Sequence, residues 1–262
     1  MRWRWWGRPR CIARIEINGV INGATRKRVL NALKIVKTRK FPALLVRIDS
    51  PGGTVGDSQE IYSALCALQS QTHIVASFGN ISASGGVYIG MGAPHIMANP
   101  GTVTGSIGVI LRGNNLEELL KKIGVSFKVV KSGPYKDILA FDRELTPEEH
   151  QILQQLIDVS YQQFVNTVAT ARHLPVERVR EFADGRIFTG EQAQALGVVD
   201  RLGTEEDARR WAAELAGLDP EHTPVRTLSG KPRSLLARFS SEVNTLNLPW
   251  DYAGIPLWLY SP

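Results

Sequence analysis

The chain has 262 residues, of which 43% are hydrophobic and 21% are charged, and its formal net charge is +6. This composition is typical of one globular domain with a large buried core and speaks against a disordered or fibrous chain. The two cysteines, Cys11 and Cys66, match neither a metal-ligand spacing nor a disulfide framework, and no run of about 18 uncharged apolar residues could span a bilayer.

The first residues, MRWRWWGRPR, interleave arginine with tryptophan. Such a stretch suits the interface of an anionic membrane, and a frayed terminus or the remnant of a longer precursor fits it equally well. We expect no nucleic-acid partner, because no basic helix or binding motif accompanies the patch. The stretch lacks the apolar region of a signal peptide, so we expect a chain that is cytoplasmic or peripheral on the cytoplasmic face of a membrane.

Short β-branched runs then alternate with segments that have helical periodicity. This alternation predicts an α/β domain with a mainly parallel sheet. The predicted strands are Ile12 to Ile17, Ala43 to Asp49, His73 to Phe78, His95 to Ala98 and Ser126 to Lys131. The predicted helices are Thr25 to Arg39, Asp57 to Gln69, Asn115 to Ile123, Pro147 to His173, Pro175 to Ala183, Gly190 to Leu196 and Thr204 to Leu215.

The longest predicted helix has a clear start, with Thr146 as the capping residue and Pro147 at the first helical position. After Asp219 the periodic pattern ends, and the last residues are rich in proline, tryptophan and tyrosine. We therefore divide the chain into an N-terminal extension (1–11), a folded α/β domain (12–218) and a C-terminal tail (219–262). Because an exposed apolar tail would aggregate, we expect it to dock on its own domain, a neighbouring subunit or a membrane. A narrower hypothesis places its IPLWLYSP stretch in a substrate crevice.

Two glycine-containing stretches follow predicted strands at the edge where α/β proteins bind ligands. DSPGG follows the strand that ends at Asp49, and the N–H groups of such a turn could hold an oxyanion, although the same sequence is an ordinary turn elsewhere. ISASGGVYIG follows the strand that ends at Phe78. A serine at this bend would point into the crevice, and we prefer Ser84 to Ser82 because Gly85 follows it directly.

A serine nucleophile needs a base. None of the five histidines lies in a loop with catalytic context, so a lysine base is the alternative. Lys136 follows the predicted strand that ends at Lys131, which would place it at the crevice edge. To act as a base it must be neutral near pH 7, a state that partial burial favours. Taken alone, the local sequence fits an ordinary solvated lysine better.

Five stretches occur in an order that resembles the SppA family of signal peptide peptidases, over about Ile12 to Gly203. They are DSPGGTV, ISASGGVYIGMGA, GTVTGSIGVI, KSGPYKD and ADGRIFTGEQAQALGVVDRLG. The resemblance implies a ClpP/crotonase-like fold with repeated β-β-α units. It also implies an ATP-independent serine endopeptidase that degrades cleaved signal peptides and other unfolded, membrane-associated peptides.

The same resemblance assigns roles to individual residues. It implies that Ser84 is the nucleophile, that Lys136 is the general base and that Ser106 orients the lysine. The N–H groups of Gly53 and Gly85 would form the oxyanion hole, with no metal or other cofactor.

The chain resembles the short, single-unit form of the family, and we expect it to have no N-terminal membrane anchor of the kind common there. The resemblance therefore implies a homo-oligomeric ring, an octamer in short members, in which serine and lysine meet across a subunit boundary. Two other classes stay open: a crotonase-type acyl-CoA enzyme that would use the same glycines, and a non-catalytic membrane-associated scaffold.

Overall fold

The computed structural model describes residues 9–228 and 256–259. Its strands are β1 Ile12–Asn18, β2 Ala43–Ser50, β3 Gly52–Thr54, β4 His73–Ala83, β5 His95–Ala98, β6 Val103–Gly105, β7 Ile187–Thr189, β8 Arg201–Leu202, β9 Val225–Thr227 and β10 Leu257–Leu259. Its helices are α1 Gly23–Arg39, α2 Val55–Cys66, α3 Gly85–Gly90, α4 Glu117–Ile123, α5 Pro147–Arg172, α6 Val176–Arg180, α7 Gly190–Ala195 and α8 Glu205–Leu215.

The main sheet is mostly parallel and runs in the order β7-β6-β4-β2-β1-β9, with β5 beside β4 and β8 beside β5. Only the β6–β7 pair of this sheet is antiparallel. The long strand β4 pairs with β5 through its first half and with β6 through its last three residues, so it carries the chain from one part of the sheet to the other. The small second sheet consists of β3 and β10. The predicted α/β class with a mainly parallel sheet is confirmed.

Both faces of the sheet are covered, and the central strand β2 is accordingly buried and apolar on successive residues at its start. In β2, Leu44, Val46 and Ile48 join the larger core, which includes residues of α1, α2, α3 and α5. The other face of the same strand carries Ala43 and Leu45, which pack with α8 and its Trp211 in a second cluster. The site described below lies on the α3 side of this sheet.

The start of α5 follows the expected capping chemistry. The Thr146 side chain accepts a hydrogen bond from Glu149 N at 3.2 Å, and the Glu149 carboxylate accepts one from Thr146 N at 2.9 Å. This reciprocal pair confirms the predicted start of α5. None of the helices in the described part of the chain is long and apolar enough to cross a membrane.

One predicted strand is not formed. The stretch from Ser126 to Lys131 was predicted as a strand, but it forms no regular structure and its side chains are exposed. No strand in the described chain pairs with this stretch. The predicted strand was therefore wrong, because an alternating apolar pattern does not by itself show that a neighbouring strand is present. Beyond the predicted domain limit at residue 218, β9 pairs with β1 at the sheet edge.

Candidate active site

Ser84 lies at a sharp bend between β4 and α3. Its backbone has φ 54° and ψ −115°, a conformation that costs a non-glycine residue about 1–3 kcal/mol. Two backbone hydrogen bonds hold it there: Ser84 N donates to Gly105 O at 2.8 Å, and Ser84 O accepts from Tyr88 N at 3.0 Å. Only 1% of the residue is exposed. The fold thus maintains a strained serine at the end of a strand, as a nucleophile elbow does.

Ser82, the competing candidate, lies inside the protein. It is fully buried, and its Oγ has no hydrogen-bond partner among the described residues. A Cβ placed on Gly86 would lie 3.2 Å from this oxygen, which puts the hydroxyl against the first turn of α3. The geometry therefore favours Ser84 over Ser82.

The Gly53 N–H points toward the crevice beside Ser84. On one side of β3, Ile21 N donates to Gly52 O at 2.8 Å, and Thr54 N donates to Ile21 O at 3.0 Å. Since backbone groups alternate sides along a strand, the N–H of Gly53 faces away from Ile21. A Cβ on Gly85 would lie 3.2 Å from Gly53 N and 2.8 Å from Ser58 Oγ. The two candidate oxyanion donors therefore lie close together, in a space that only glycine leaves open.

A segment of the chain's own tail fills this crevice. β10 pairs antiparallel with β3, with Trp258 opposite Gly53, and its Leu257 bridges to Ile110 on the other side. Val55 N donates to Pro256 O at 3.5 Å. Because antiparallel pairs alternate, Gly53 and Trp258 form the next hydrogen-bonded pair, and the Gly53 N–H faces the Trp258 carbonyl. We expected the tail to dock on its own domain, on a neighbouring subunit or on a membrane. Its residues 256–259 dock on their own domain. Residues 229–255 and 260–262 lie outside the described residues.

Ser106 belongs to the same site through Gly105, whose carbonyl binds Ser84 N. Its backbone has φ 50°, and its N–H donates to Arg186 O at 2.7 Å. Ser106 also lines a cavity of about 460 Å³ that borders Ile110, Tyr161 and Leu259. The structure therefore places Gly53, Ser84, Gly85 and Ser106 together.

Lys136 lies on an exposed segment between α4 and α5. Its backbone N–H donates to Gly133 O at 3.3 Å. Within the described ranges, no hydrogen bond joins its Nζ to Ser84, to Ser106 or to any other residue. A single chain thus brings the predicted serine and glycines together, but its described residues show no hydrogen bond between them and the predicted base.

The segment that carries Lys136 is fixed to α5 by a charged network. Asp137 accepts from Lys131 Nζ at 2.6 Å and from Arg143 at 3.0 Å, and Arg143 also donates to Glu149 at 2.5 and 2.7 Å. These hydrogen bonds lower the pKa of the Asp137 carboxyl to about 2, with Lys131 contributing most. The hydrogen bond from Arg143 likewise lowers the pKa of Glu149 to about 2. The sequence shows charged residues on both sides of Lys136, but it did not show that they pair with one another and with α5.

Sequence reasoning also did not assign the aromatic residues that surround the crevice. Tyr88, Phe164 and Trp258 form one cluster, with the Trp258 ring stacked on Tyr88. The sequence contains only a weak indication of this cluster: Tyr88 lies one helical turn after Ser84, and the tail contains an apolar run. Nothing in the sequence pairs residues so far apart along the chain.

The comparisons with known proteins agree with this architecture. ClpP1 from Listeria monocytogenes superposes with a TM-score of 0.53 at 16% identity, over 74% of this chain and 93% of that one. The chain therefore has a ClpP-like fold, as predicted.

The family follows from the sequence comparisons. The profile of Peptidase family S49 matches residues 66–219. The Synechocystis protein slr0021, provisionally named a protease, is 64% identical over 95% of both chains. An Enterococcus faecium protein, provisionally named signal peptide peptidase SppA, is 35% identical over 75% of this chain and 61% of its own length. The chain belongs to peptidase family S49, and the predicted relationship to SppA is confirmed.

Proposed function

We propose that the protein is a serine endopeptidase in which Ser84 is the nucleophile and Lys136 the general base. The observation that carries this proposal is the strained Ser84 bend beside the N–H groups of Gly53 and Gly85, with the carbonyl of an extended segment facing Gly53. Such donors stabilise the negative charge that develops on a carbonyl oxygen during acyl transfer. An extended peptide bound at a strand edge is also how many proteases hold a substrate.

In the proposed reaction, neutral Lys136 takes the proton of Ser84 Oγ as this oxygen bonds to the substrate carbonyl carbon. The carbonyl oxygen becomes an oxyanion held by Gly53 and Gly85 N–H. The C–N bond then breaks, and the leaving amine receives the proton from Lys136. Water next gives a proton to Lys136 and attacks the ester carbonyl carbon; the bond to Ser84 Oγ then breaks, and Lys136 returns the proton to Ser84 Oγ, which releases the acid and restores both residues. Ser106 orients the lysine amine, and no cofactor takes part.

We further propose that Lys136 acts on Ser84 of a neighbouring copy. In support, Lys136 is exposed and forms no hydrogen bond with Ser84 of its own chain in the described structure, and the segment around it presents several apolar side chains to solvent. These are Leu119, Ile123, Val125, Phe127, Val129, Val130, Tyr135 and Phe141. An apolar surface of this kind is typical of an interface between subunits. The proposed assembly is a closed ring, an octamer by resemblance to short family members.

The proposed substrates are cleaved signal peptides and other unfolded, membrane-associated peptides. The support is the extended β10 segment in the site and the name of the Enterococcus relative. The arginine- and tryptophan-rich opening would hold the protein at the cytoplasmic face of a membrane; its first eight residues lie outside the described part.

The test is covalent labelling with a fluorophosphonate followed by peptide mass spectrometry, together with casein hydrolysis. We expect label on Ser84, and loss of both label and hydrolysis in Ser84→Ala. Ser82→Ala is the matched control and should keep both. Hydrolysis that survives in Ser84→Ala would contradict the assignment. Absence of label and hydrolysis in the unaltered protein would favour the acyl-CoA enzyme or the scaffold.

A further inference from the structure

The side chain of Trp258 occupies a closed aromatic pocket next to Ser84. It is fully buried. Its ring stacks on Tyr88 at a centroid distance of 3.9 Å and an angle of 28°, and it lies 4.8 Å from the ring of Phe164. Tyr88 belongs to α3, one turn after Ser84, and Phe164 belongs to α5. The pocket is therefore built by α5 together with the helix that follows the candidate nucleophile.

The backbone of the same residue lies where a reacting peptide bond would lie. The Gly53 N–H faces the Trp258 carbonyl, and a Cβ on Gly85 would lie 3.1 Å from that carbonyl oxygen. In acyl transfer, the carbonyl held by the oxyanion donors belongs to the residue on the acyl side of the cleaved bond. The Trp258 side chain therefore marks the position of that residue's side chain in a substrate.

We propose that the Trp258 pocket is the primary specificity pocket and that the enzyme cleaves on the C-terminal side of large aromatic residues. Tyr88 and Phe164 are the specificity-determining residues. This inference rests on the proposed peptidase function and adds the substrate class. β10 is then a segment of the chain that binds as a substrate strand does.

The chemistry of the pocket defines what it selects. Trp258 Nε1 is buried without a hydrogen-bond partner among the described residues, so the pocket offers the indole apolar contact but no acceptor. Thr167 Oγ1 of α5 donates to Tyr88 OH at 3.2 Å and fixes the Tyr88 ring. Aromatic contacts of this kind stabilise a bound flat ring and do not require a particular polar group. Phenylalanine should therefore be accepted as well as tryptophan, while alanine and charged residues should be poor.

The experiment compares peptides that differ only in the residue on the acyl side: Trp, Phe, Ala and Asp. We expect kcat/KM for Trp and Phe to exceed that for Ala by about 100-fold or more. The reason is that burying a whole ring contributes more binding free energy in the transition state than burying a single methylene group. β10 competes equally with every peptide, so this ratio is independent of its occupancy. The ratio is also independent of the fraction of folded enzyme in a preparation.

Phe164→Leu tests the pocket assignment. Loss of one aromatic wall should lower the Trp-to-Ala ratio about 10-fold. The matched control is Phe182→Leu, because Phe182 is a buried phenylalanine that packs on Phe188 instead of Trp258, and it should leave the ratio unchanged.

Two results would overturn the proposal in distinguishable ways. Peptide hydrolysis without aromatic preference, or an equal change in both variants, would overturn the specificity pocket and leave the peptidase intact. If no peptide is cleaved and Ser84 takes no fluorophosphonate, the proposed function falls and the specificity inference falls with it.

Discussion

Single residues determine whether the crevice can hold an oxyanion, and Gly85 is the most sensitive of them. A methyl group there would lie 2.8 Å from Ser58 Oγ and 3.2 Å from Gly53 N, in the space that a carbonyl oxygen needs. We expect Gly85→Ala to lower kcat by about 100-fold or more, the usual effect of losing one oxyanion donor. Steady-state kinetics with a small peptide measures this loss.

Gly56→Ala is the control for that substitution. Gly56 lies in α2, and a methyl group there would meet no heavy atom within 4 Å. Activity should therefore be unchanged, and the free energy of unfolding should rise by up to about 1 kcal/mol through better helix propensity. If Gly85→Ala retained normal kcat, Gly85 N–H could not be an oxyanion donor in a space that tight.

At the level of elements, the network of Lys131, Asp137, Arg143 and Glu149 fixes the segment that carries Lys136 to α5. The pKa of the Asp137 and Glu149 carboxyls is lowered to about 2, so both groups stabilise the fold above their unfolded pKa near 4. This contribution is lost as the pH falls from about 4 to about 2.

We therefore expect Glu149→Gln to lower the Tm at neutral pH, and we expect its difference from the unaltered protein to shrink below about pH 4. Thermal unfolding followed by circular dichroism between pH 2 and 8 measures this. Asp184→Asn is the control, since Asp184 pairs with Arg186 on the exposed surface and should change the Tm less. A constant difference at every pH would show that the Arg143 pairing does not stabilise the fold.

If the protein is the proposed peptidase, a substrate must displace β10 from the crevice, because β10 pairs with β3 there. Its largest contribution to docking is the buried Trp258 side chain, and truncation of a buried tryptophan costs about 3–5 kcal/mol. Trp258→Ala should therefore reduce the occupancy of the crevice by β10 and raise kcat/KM for short peptides by about 10-fold or more. A fall in activity, with an unchanged circular dichroism spectrum, would mean that β10 completes the site and does not compete for it.

At the scale of the whole molecule, the sequence predicted what depends on local periodicity and chain order. The strand at His95–Ala98 and the capping of α5 by Thr146 are examples, since each is encoded by neighbouring residues. The bend at Ser84 and the turn at Gly53 could be predicted, because glycines follow the predicted strands at both places. The Trp258 contacts were not predictable, because a three-residue strand has too little pattern to define a partner so distant along the chain. The assignment of a strand to Ser126–Lys131 was wrong because apolar alternation does not show what covers the residues.

The exposed apolar segment between Leu119 and Phe141 should hold subunits together. Val130 is 100% exposed in the single chain. We expect Val130→Asp to dissociate the assembly and to remove peptidase activity with it, because a charge would be buried at the contact. Native mass spectrometry and casein hydrolysis measure the two effects. Ile35→Asp on α1 is the control and should change neither; an active Val130→Asp monomer would contradict the role of the assembly.

In the proposed assembly, Ser84 of one copy reacts with the help of Lys136 of another. Ser84→Ala and Lys136→Ala should each be inactive, and the two proteins unfolded and reassembled together should recover casein hydrolysis, because mixed rings contain sites with both intact residues. Native mass spectrometry of the same sample verifies that mixed assemblies formed. Full activity in either single variant, or no activity in verified mixed assemblies, would contradict the claim.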